Sequence, residues 1–486
     1  MEVFRDIIEF INPIIVVIYI ISILFVAVFT VLENRNPLKT ISWVLVLIFL
    51  PVIGFIFFVF FGQNFRKEKI IARKGLRNVD VLSKMAHAQI NHLADGEMFT
   101  NPALEEKRNL IHLLLHNSYA VVTIGNKIEV LQNGPATFAS IIEAIENAEH
   151  FIHLEYYIFA DDKLGGKVKE ILKRKVKEGV EVRMILDDVG SWELKKPFYE
   201  EMRNAGIQIF SFLEVRFPNL TSKVNYRNHR KILIVDGRVG YLGGMNIADR
   251  YMDGGVFGFW RDTHLKIEGD AVNTLQTVFS IDWYFVSQTE LDDPRYFPSK
   301  KITGDKMIQV VASGPDSDWP GIKMGIFHAI ASARKYVYIA TPYFMPNESV
   351  LMALKAAAMG GVDVRVVIPE KSDAFLTHLS THSYIREMLD AKVRFFFYQK
   401  GFLHSKVIII DDMVSSIGTA NMDFRSFEQN YEITAFIYDE ETALNLKEDY
   451  MSDLKESREV TLETWPLRPR IEKIKESFAR LISPLL

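Results

Sequence analysis

NHRKILIVDGRVGYLGGMN, residues 228–246, and LHSKVIIIDDMVSSIGTAN, residues 403–421, carry the same five residues at the same separations. In each, His-x-Lys is followed by Asp five residues after the Lys, Gly seven beyond the Asp and Asn three further on. The members are His229, Lys231, Asp236, Gly243 and Asn246, answered by His404, Lys406, Asp411, Gly418 and Asn421. Alternate residues of a strand point the same way, so the His and Lys of each copy share a face. The apolar runs that follow, ILIV and VIII, bury that strand inside a sheet. A lone His-x-Lys-x4-Asp match would arise in roughly four chains in a hundred of this composition, so one copy would decide little. Two copies with matching Gly and Asn mark a chain built twice.

The segments around the motifs repeat in the same order. HFIHLEYYIF (150–159) is answered by KYVYIATPYF (335–344), and VEVRMILDD (180–188) by VDVRVVIPE (362–370). IQIFSF (207–212) is answered by KVRFFFY (392–398). Short apolar runs alternating with amphipathic segments such as GGKVKEILKRKVKEG (165–179) predict an α/β sheet, duplicated. The prolines and charges near Leu291–Lys300 set the boundary, giving halves over 118–292 and 293–460.

Before the repeats the composition changes. No charged residue occurs from Phe10 to Leu32 or from Ile41 to Phe61. Each run spans about 30 Å as a helix, the thickness of a bilayer's hydrocarbon core. Residues 1–66 are therefore predicted to form a two-helix transmembrane hairpin. Arg66, Lys67, Lys69, Arg73, Lys74 and Arg77 follow the second run, so the large C-terminal part is expected in the cytoplasm, on a multi-pass cell-membrane protein. They also offer a seat for anionic headgroups. Residues 67–117 are polar and helix-favouring, a juxtamembrane connector. The tail, 461–486, sets Ile471, Ile474, Phe478 and Leu481 on one helical face. A membrane-surface helix and docking on the protein's own core are both open readings.

A net charge of -4 argues against nucleic acid as a partner, which ordinarily demands a basic domain. The absence of cysteine removes disulfides, thiolate nucleophiles and thiolate metal sites. No nucleotide loop is present, so no activated donor is implied. Two facing halves would bring His229 toward His404, with two lysines and two asparagines about one phosphodiester. One imidazole could attack phosphorus while the other protonates the leaving oxygen, and the ammoniums and amides could steady the anion.

HxKxxxxDxxxxxxGxxN, twice in one chain, resembles the signature of the phospholipase D superfamily over roughly residues 120–450. The resemblance implies two α/β/α halves about a pseudo-twofold axis, a phosphohistidine intermediate and no metal or other cofactor. It places His229, Lys231, His404 and Lys406 as catalytic, with Asp236 and Asp411 counted in the motif. For those two aspartates, holding the strand and turn is favoured over chemistry. Asn246 and Asn421 would bind phosphate. The resemblance also implies a carboxylate after each motif that orients a histidine, which is Glu432 in the second half. Asp262 is the candidate in the first, at a longer spacing.

The finer similarity is to bacterial cardiolipin synthases, through ENRNPLKTISWVLVLIFLPVIG, FIHLEYYIF, GGMNIADRY, YIATPYFMP and GFLHSK. It implies that His229 attacks one phosphatidylglycerol while His404 protonates the departing glycerol. The glycerol hydroxyl of a second phosphatidylglycerol then completes cardiolipin. The histidine roles could be exchanged. A phospholipase D or a transferase using another alcohol stays an alternative, as do a nucleic-acid phosphodiesterase and an inactive scaffold. No obligatory protein partner is identifiable. The turn residue after the motif glycine departs from the superfamily's usual Ser, being Gly244 in one half and Thr419 in the other.

Two His pairs at helical spacing, His378 with His382 and His112 with His116, lack a third ligand and are set aside. Glu155, Tyr157, Tyr343, Phe344 and Tyr384 could line a lipid entrance, although aromatic strand residues are more often core.

Overall fold

A computed structural model of the chain describes residues 77–94, 102–215, 226–298 and 304–483, with isolated positions among the first 54. The two apolar runs read as a membrane hairpin, with the basic cluster down to Lys74, lie outside the described residues. Among the described residues no helix is long and apolar enough to cross a membrane. The chain divides into two units, Met1–Lys69 with Arg216–Asn225, and Ile70–Val215 with Tyr226–Leu486. The second unit carries every element that follows.

Seven strands come from the first half: β1 (Val122–Gln132), β2 (Phe151–Tyr156), β3 (Glu181–Asp187), β4 (Gln208–Phe212), β5 (Lys231–Val235), β6 (Val239–Gly243) and β7 (Thr263–Glu268). Their counterparts are β8 (Lys306–Ser313), β9 (Tyr336–Ala340), β10 (Asp363–Pro369), β11 (Arg394–Tyr398), β12 (Val407–Ile410), β13 (Val414–Gly418) and β14 (Glu432–Tyr438), with β15 (Ser457–Val460) added at one edge. All fifteen form one sheet, in the order β15-β11-β10-β9-β12-β13-β14-β8-β1-β7-β6-β5-β2-β3-β4. The order reads alike outward from the centre, so the pseudo-twofold axis passes between β1 and β8. Those strands pair antiparallel, Val122 with Gln309 and Thr123 with Ile308.

β2 and β5 are buried along their whole length, as strands of a sheet covered on both faces are. The first half is covered on one face by α3 (Asn133–Glu146), α4 (Lys163–Lys177) and α5 (Lys196–Asn204). The corresponding layer of the second half is α7 (Gly321–Ala331), α8 (Glu348–Met359) and α9 (Phe375–Asp390). α6 (Ala271–Ser287) and α10 (Glu440–Lys455), which follow β7 and β14, cover a third core that runs beneath both halves. The start of α10 is fixed by Asp439, whose carboxylate accepts from the Thr442 amide at 2.7 Å.

Of the connector read over 67–117, the structure describes α1 (Arg77–Ala94) and all but the last residue of α2 (Arg108–Ser118). Their Ala86, Leu93, Leu110, Ile111, Leu114 and Leu115 belong to the core of the second half. The Gln89 side chain exchanges hydrogen bonds with the Val122 amide and carbonyl at 2.7 and 2.8 Å, tying α1 to the central strand. After α10 the chain adds β15 and α11 (Arg470–Ile482), which packs along α9.

Candidate catalytic site

His229 precedes β5 and His404 precedes β12, at equivalent strand starts on either side of the axis. Each is held by the other half. The His229 amide donates to the Tyr431 carbonyl at 2.9 Å, and the His404 amide donates to the Arg261 carbonyl at 2.7 Å. Tyr431 and Arg261 each immediately precede an acidic residue, so the same two segments deliver Glu432 and Asp262. Nδ1 of His229 lies 3.0 Å from both carboxylate oxygens of Glu432. Nδ1 of His404 lies 2.7 Å from Oδ2 of Asp262. With Nδ1 turned to a carboxylate, Nε2 is the edge of each ring available to the cavity.

The lysines repeat the symmetry. Lys231 Nζ donates to the carbonyl of His229 at 2.7 Å, and Lys406 Nζ donates to that of His404 at 2.6 Å. Each ammonium thus sits under its own histidine with two further N–H bonds to give. Burial drives the Lys231 ammonium well below its ordinary value and Lys406 down to about 8, against the pull of Glu432 and Asp262. A further anion in the cavity would favour the protonated form of both lysines.

The two carboxylates differ. Burial pushes Glu432 up, but His229, Lys231 and the Thr419 hydroxyl outweigh it and hold the group at about 2. Burial lifts Asp262 to about 6, against Lys406 and the Thr263 amide. Burial takes His229 down to about 4 and, with Lys406, Lys231 and His229 adding to it, holds His404 well below 6.5. The His404–Asp262 pair therefore takes up its proton at higher pH than the His229–Glu432 pair. Over the interval between, His229 is neutral while the other pair holds a proton.

The position after each motif glycine follows from these acids. A Cβ on Gly244 would come 2.2 Å from Oδ1 of Asp262, so the first half has no room for a side chain there. In the second half Thr419 donates its hydroxyl to Glu432 and accepts from the Ile433 amide at 2.9 Å. The longer spacing of Asp262 also has a cause. It comes nineteen residues after Gly243, against fourteen from Gly418 to Glu432, and a tight turn in which Gly255 and Gly258 exchange backbone hydrogen bonds falls in this interval. The motif glycines Gly243 and Gly418 lie against the neighbouring strand, where a Cβ would meet His264 or the Ile433 carbonyl.

Asp236 and Asp411, counted in the motif, spend their carboxylates on backbone amides at the far end of the motif strands. Asp236 accepts from the amides of Glu149, His150 and Phe151 at 2.8, 2.7 and 2.8 Å. Asp411 accepts from Arg334, Lys335 and Tyr336 at 2.8, 2.7 and 3.0 Å. Each closes the end of its motif strand opposite the histidine and locks the start of the next strand.

Both histidines line a cavity of about 380 Å³ with Asn246 and Asn421. Asn246 is committed within the protein, accepting from the Ile158 amide at 3.0 Å and donating to the Tyr251 hydroxyl at 2.7 Å. The buried side-chain oxygen of Asn421 has no hydrogen-bond partner among the described residues. The Tyr157 ring sits edge-on to His229 at 4.9 Å, and Trp260 lies 5.4 Å from His404. Tyr157 and Tyr343 line the cavity, whereas Glu155, Phe344 and Tyr384 are core. Arg250 and Arg425 also face the cavity and were not foreseen. Each stands four residues after its motif asparagine, so the repeated spacing that exposed the motif would have found them. The His378 and His382 rings lie 3.9 Å apart and tilted to each other, and His382 packs edge-on against Trp465 of the tail.

A family model described as cardiolipin synthase, PLD-like domain, matches residues 141–283 and 326–454. One described as phospholipase D-nuclease N-terminal matches 14–63. The chain is 42% identical to a cardiolipin synthase of Alkalihalophilus pseudofirmus over 97% of this chain and 93% of that protein. It is 44% identical to cardiolipin synthase 2 of Bacillus anthracis over 94% and 88%. The crystal structure of phosphatidylserine synthase from Haemophilus influenzae shares the fold, with a TM-score of 0.59 at 16% identity over 79% of this chain and 100% of that one.

Proposed function

The chain belongs to the cardiolipin synthase family of phospholipase D-like phosphatidyltransferases, and from that premise we propose how its two histidines join two phosphatidylglycerols into cardiolipin and glycerol. The observation that carries the reading is the pair of histidines in one cavity, each oriented by an acid from the opposite half.

Neutral His229, its Nδ1–H held by Glu432, attacks the phosphorus of the first phosphatidylglycerol through Nε2. The P–O bond to glycerol breaks, and the glycerol oxygen takes the proton carried by the His404–Asp262 pair. His404 then removes the proton from the headgroup hydroxyl of a second phosphatidylglycerol. That oxygen attacks phosphorus, the P–N bond breaks, and cardiolipin leaves with His229 restored. Lys231 and Lys406 supply positive charge beneath the phosphoryl oxygens as the pentacoordinate anion forms. Arg250 and Arg425 are assigned to the non-bridging oxygens or to the second lipid's phosphate. Asn421, with its free amide oxygen, is assigned to the acceptor glycerol.

The substrates are lipids, and the two apolar runs of 1–66 are read as the anchor that keeps the site at their surface. The family match over 14–63 supports this. The cations after the second run favour a cytoplasmic site.

The test is to incubate the detergent-purified protein with phosphatidylglycerol alone and separate the products by thin-layer chromatography, beside His229→Ala and His404→Ala. Cardiolipin and glycerol from the unmodified chain, and from neither variant, are expected. Phosphatidic acid in their place would make water the acceptor.

A further inference from the structure

α11 is docked with the wrong face outward for a water-exposed helix. Its buried residues are Glu476 and Ala479, while Phe478 and Leu481 are 68% and 76% exposed, with Ile471 and Ile474 exposed beside them. Polar contacts hold it to α9. Glu476 lies 3.8 Å from His382, Arg480 donates to the Ser383 carbonyl at 3.2 Å, and Arg480 pairs with Glu387 at 2.6 Å. The contacts advance together along both helices, so α9 and α11 run parallel and begin side by side. An amphipathic helix docked for stability would bury the opposite face.

We infer that the outward face of α11, continued by the start of α9, is a docking surface for an anionic phospholipid bilayer. Three observations select this occupant. Arg468, Arg470, Lys473, Lys475 and Arg480 accompany the apolar stripe against only Glu472 and Glu476, and Glu476 is turned inward and paired with Arg468. Cations around an apolar stripe match headgroup phosphates around acyl chains. A second copy meeting this face symmetrically would set like charges against each other. Arg386, Arg468, Lys473 and Arg480 also line, together with Glu476, a cavity of about 530 Å³ at the foot of the stripe, where cations outnumber the acid.

The third observation is position. Ala374 and Thr377, at the start of α9, line the catalytic cavity, while Phe375 and Leu376 between them are exposed. The apolar surface therefore begins at the rim of the site. Docking it on a bilayer sets that rim at the headgroup level, where a lipid can enter without leaving the membrane. This last consequence rests on the lipid-substrate reading; the docking itself does not.

The chain has no cysteine, so single labelling sites can be introduced into the full-length protein without background. Phe478→Cys carries a fluorophore on the stripe. Arg238→Cys carries it past Asp236, at the end of β5 remote from His229. Both are reconstituted in vesicles of phosphatidylglycerol and phosphatidylcholine. The stripe label should be quenched by nitroxide-bearing acyl chains and shielded from iodide, and the Arg238→Cys label should behave oppositely. Equal access of iodide to both, or cross-linking of two copies through the thiol at 478, overturns the docking. In a second arm, Phe478→Ser with Leu481→Ser should lower turnover of vesicular phosphatidylglycerol at least tenfold and leave dihexanoyl phosphatidylglycerol in free solution unaffected. Equal loss on both substrates makes α11 a structural brace and overturns the inference. If the unmodified chain converts neither lipid, the catalytic reading falls and the labelling arm decides docking alone.

Discussion

Glu432 belongs to the second half and orients His229 of the first, at 3.0 Å through both carboxylate oxygens. The reciprocal arrangement holds at 2.7 Å between Asp262 and His404. Neither half contains a complete histidine–acid pair, so the paired arrangement exists only in the joined sheet.

Glu432→Gln should lower turnover by roughly 10²–10⁴-fold with little change in lipid affinity, because the amide no longer fixes the tautomer of a histidine that stays in place. Quenched single turnovers with radiolabelled phosphatidylglycerol would follow the histidine-linked lipid directly. Asp262→Asn should let that intermediate accumulate relative to turnover if leaving-group protonation is still partly served by water. A Glu432→Gln variant as active as the unmodified chain would remove the assignment of His229 as nucleophile.

The pH–rate profile should be bell-shaped, with its limbs set by different pairs. His229, lowered by burial to about 4, is neutral only above that value, so kcat/KM should rise through pH 4. The His404–Asp262 pair loses its proton above about 6, the value to which burial raises Asp262, and kcat/KM should decline beyond it. A bound phosphodiester anion favours the protonated pair, so the alkaline limb of kcat should lie at higher pH than that of kcat/KM. A rate constant flat from pH 5 to 9 would contradict a scheme needing one neutral and one protonated pair.

Asp236→Asn should destabilise the fold by about 2–3 kcal/mol, since an uncharged acceptor replaces a carboxylate that collects three backbone amides. Turnover per folded molecule should stay within a few-fold of the unmodified chain. Thermal unfolding paired with activity corrected for folded fraction separates the two quantities. A loss of activity without a loss of stability would return Asp236 to the chemistry.

Gly244→Ala should displace Asp262 from His404, because the added Cβ would fall within 2.2 Å of its carboxylate oxygen. The expected result is a loss of about 10²-fold in turnover with an unchanged far-ultraviolet spectrum. The substitution Thr419→Gly makes a contrast, removing a hydrogen bond to Glu432 without any steric push.

The duplicated sheet was legible because Ile232–Val235 and Val407–Ile410 are uninterrupted apolar runs and the residues before them repeat at fixed spacing. The histidines, lysines and asparagines came from that same regularity. Their crossed partnership did not. It depends on β1 lying beside β8 at the centre, and nothing in Val122–Gln132 or Lys306–Ser313 marks those strands as each other's neighbours. Asp262 looked loosely placed because the turn near Gly255 lies in the interval before it, and the sheet absorbs the difference. Arg250 and Arg425 were overlooked because the comparison of the two motifs stopped at the asparagines. The outward stripe of α11 was visible as an amphipathic helix, but its orientation was settled by Arg480, Glu476 and their partners on α9.

The continuous sheet across the pseudo-twofold axis also bears on descent. A single-motif ancestor of half this length would have needed a second molecule to furnish its acid, and in such a homodimer both histidines would have had identical surroundings. Once fused, the two copies no longer answered to one gene segment, and each could drift. Gly244 against Thr419, and aspartate against glutamate, are the residue of that symmetry breaking. They allow one histidine–acid pair to keep its proton at a pH where the other has lost it.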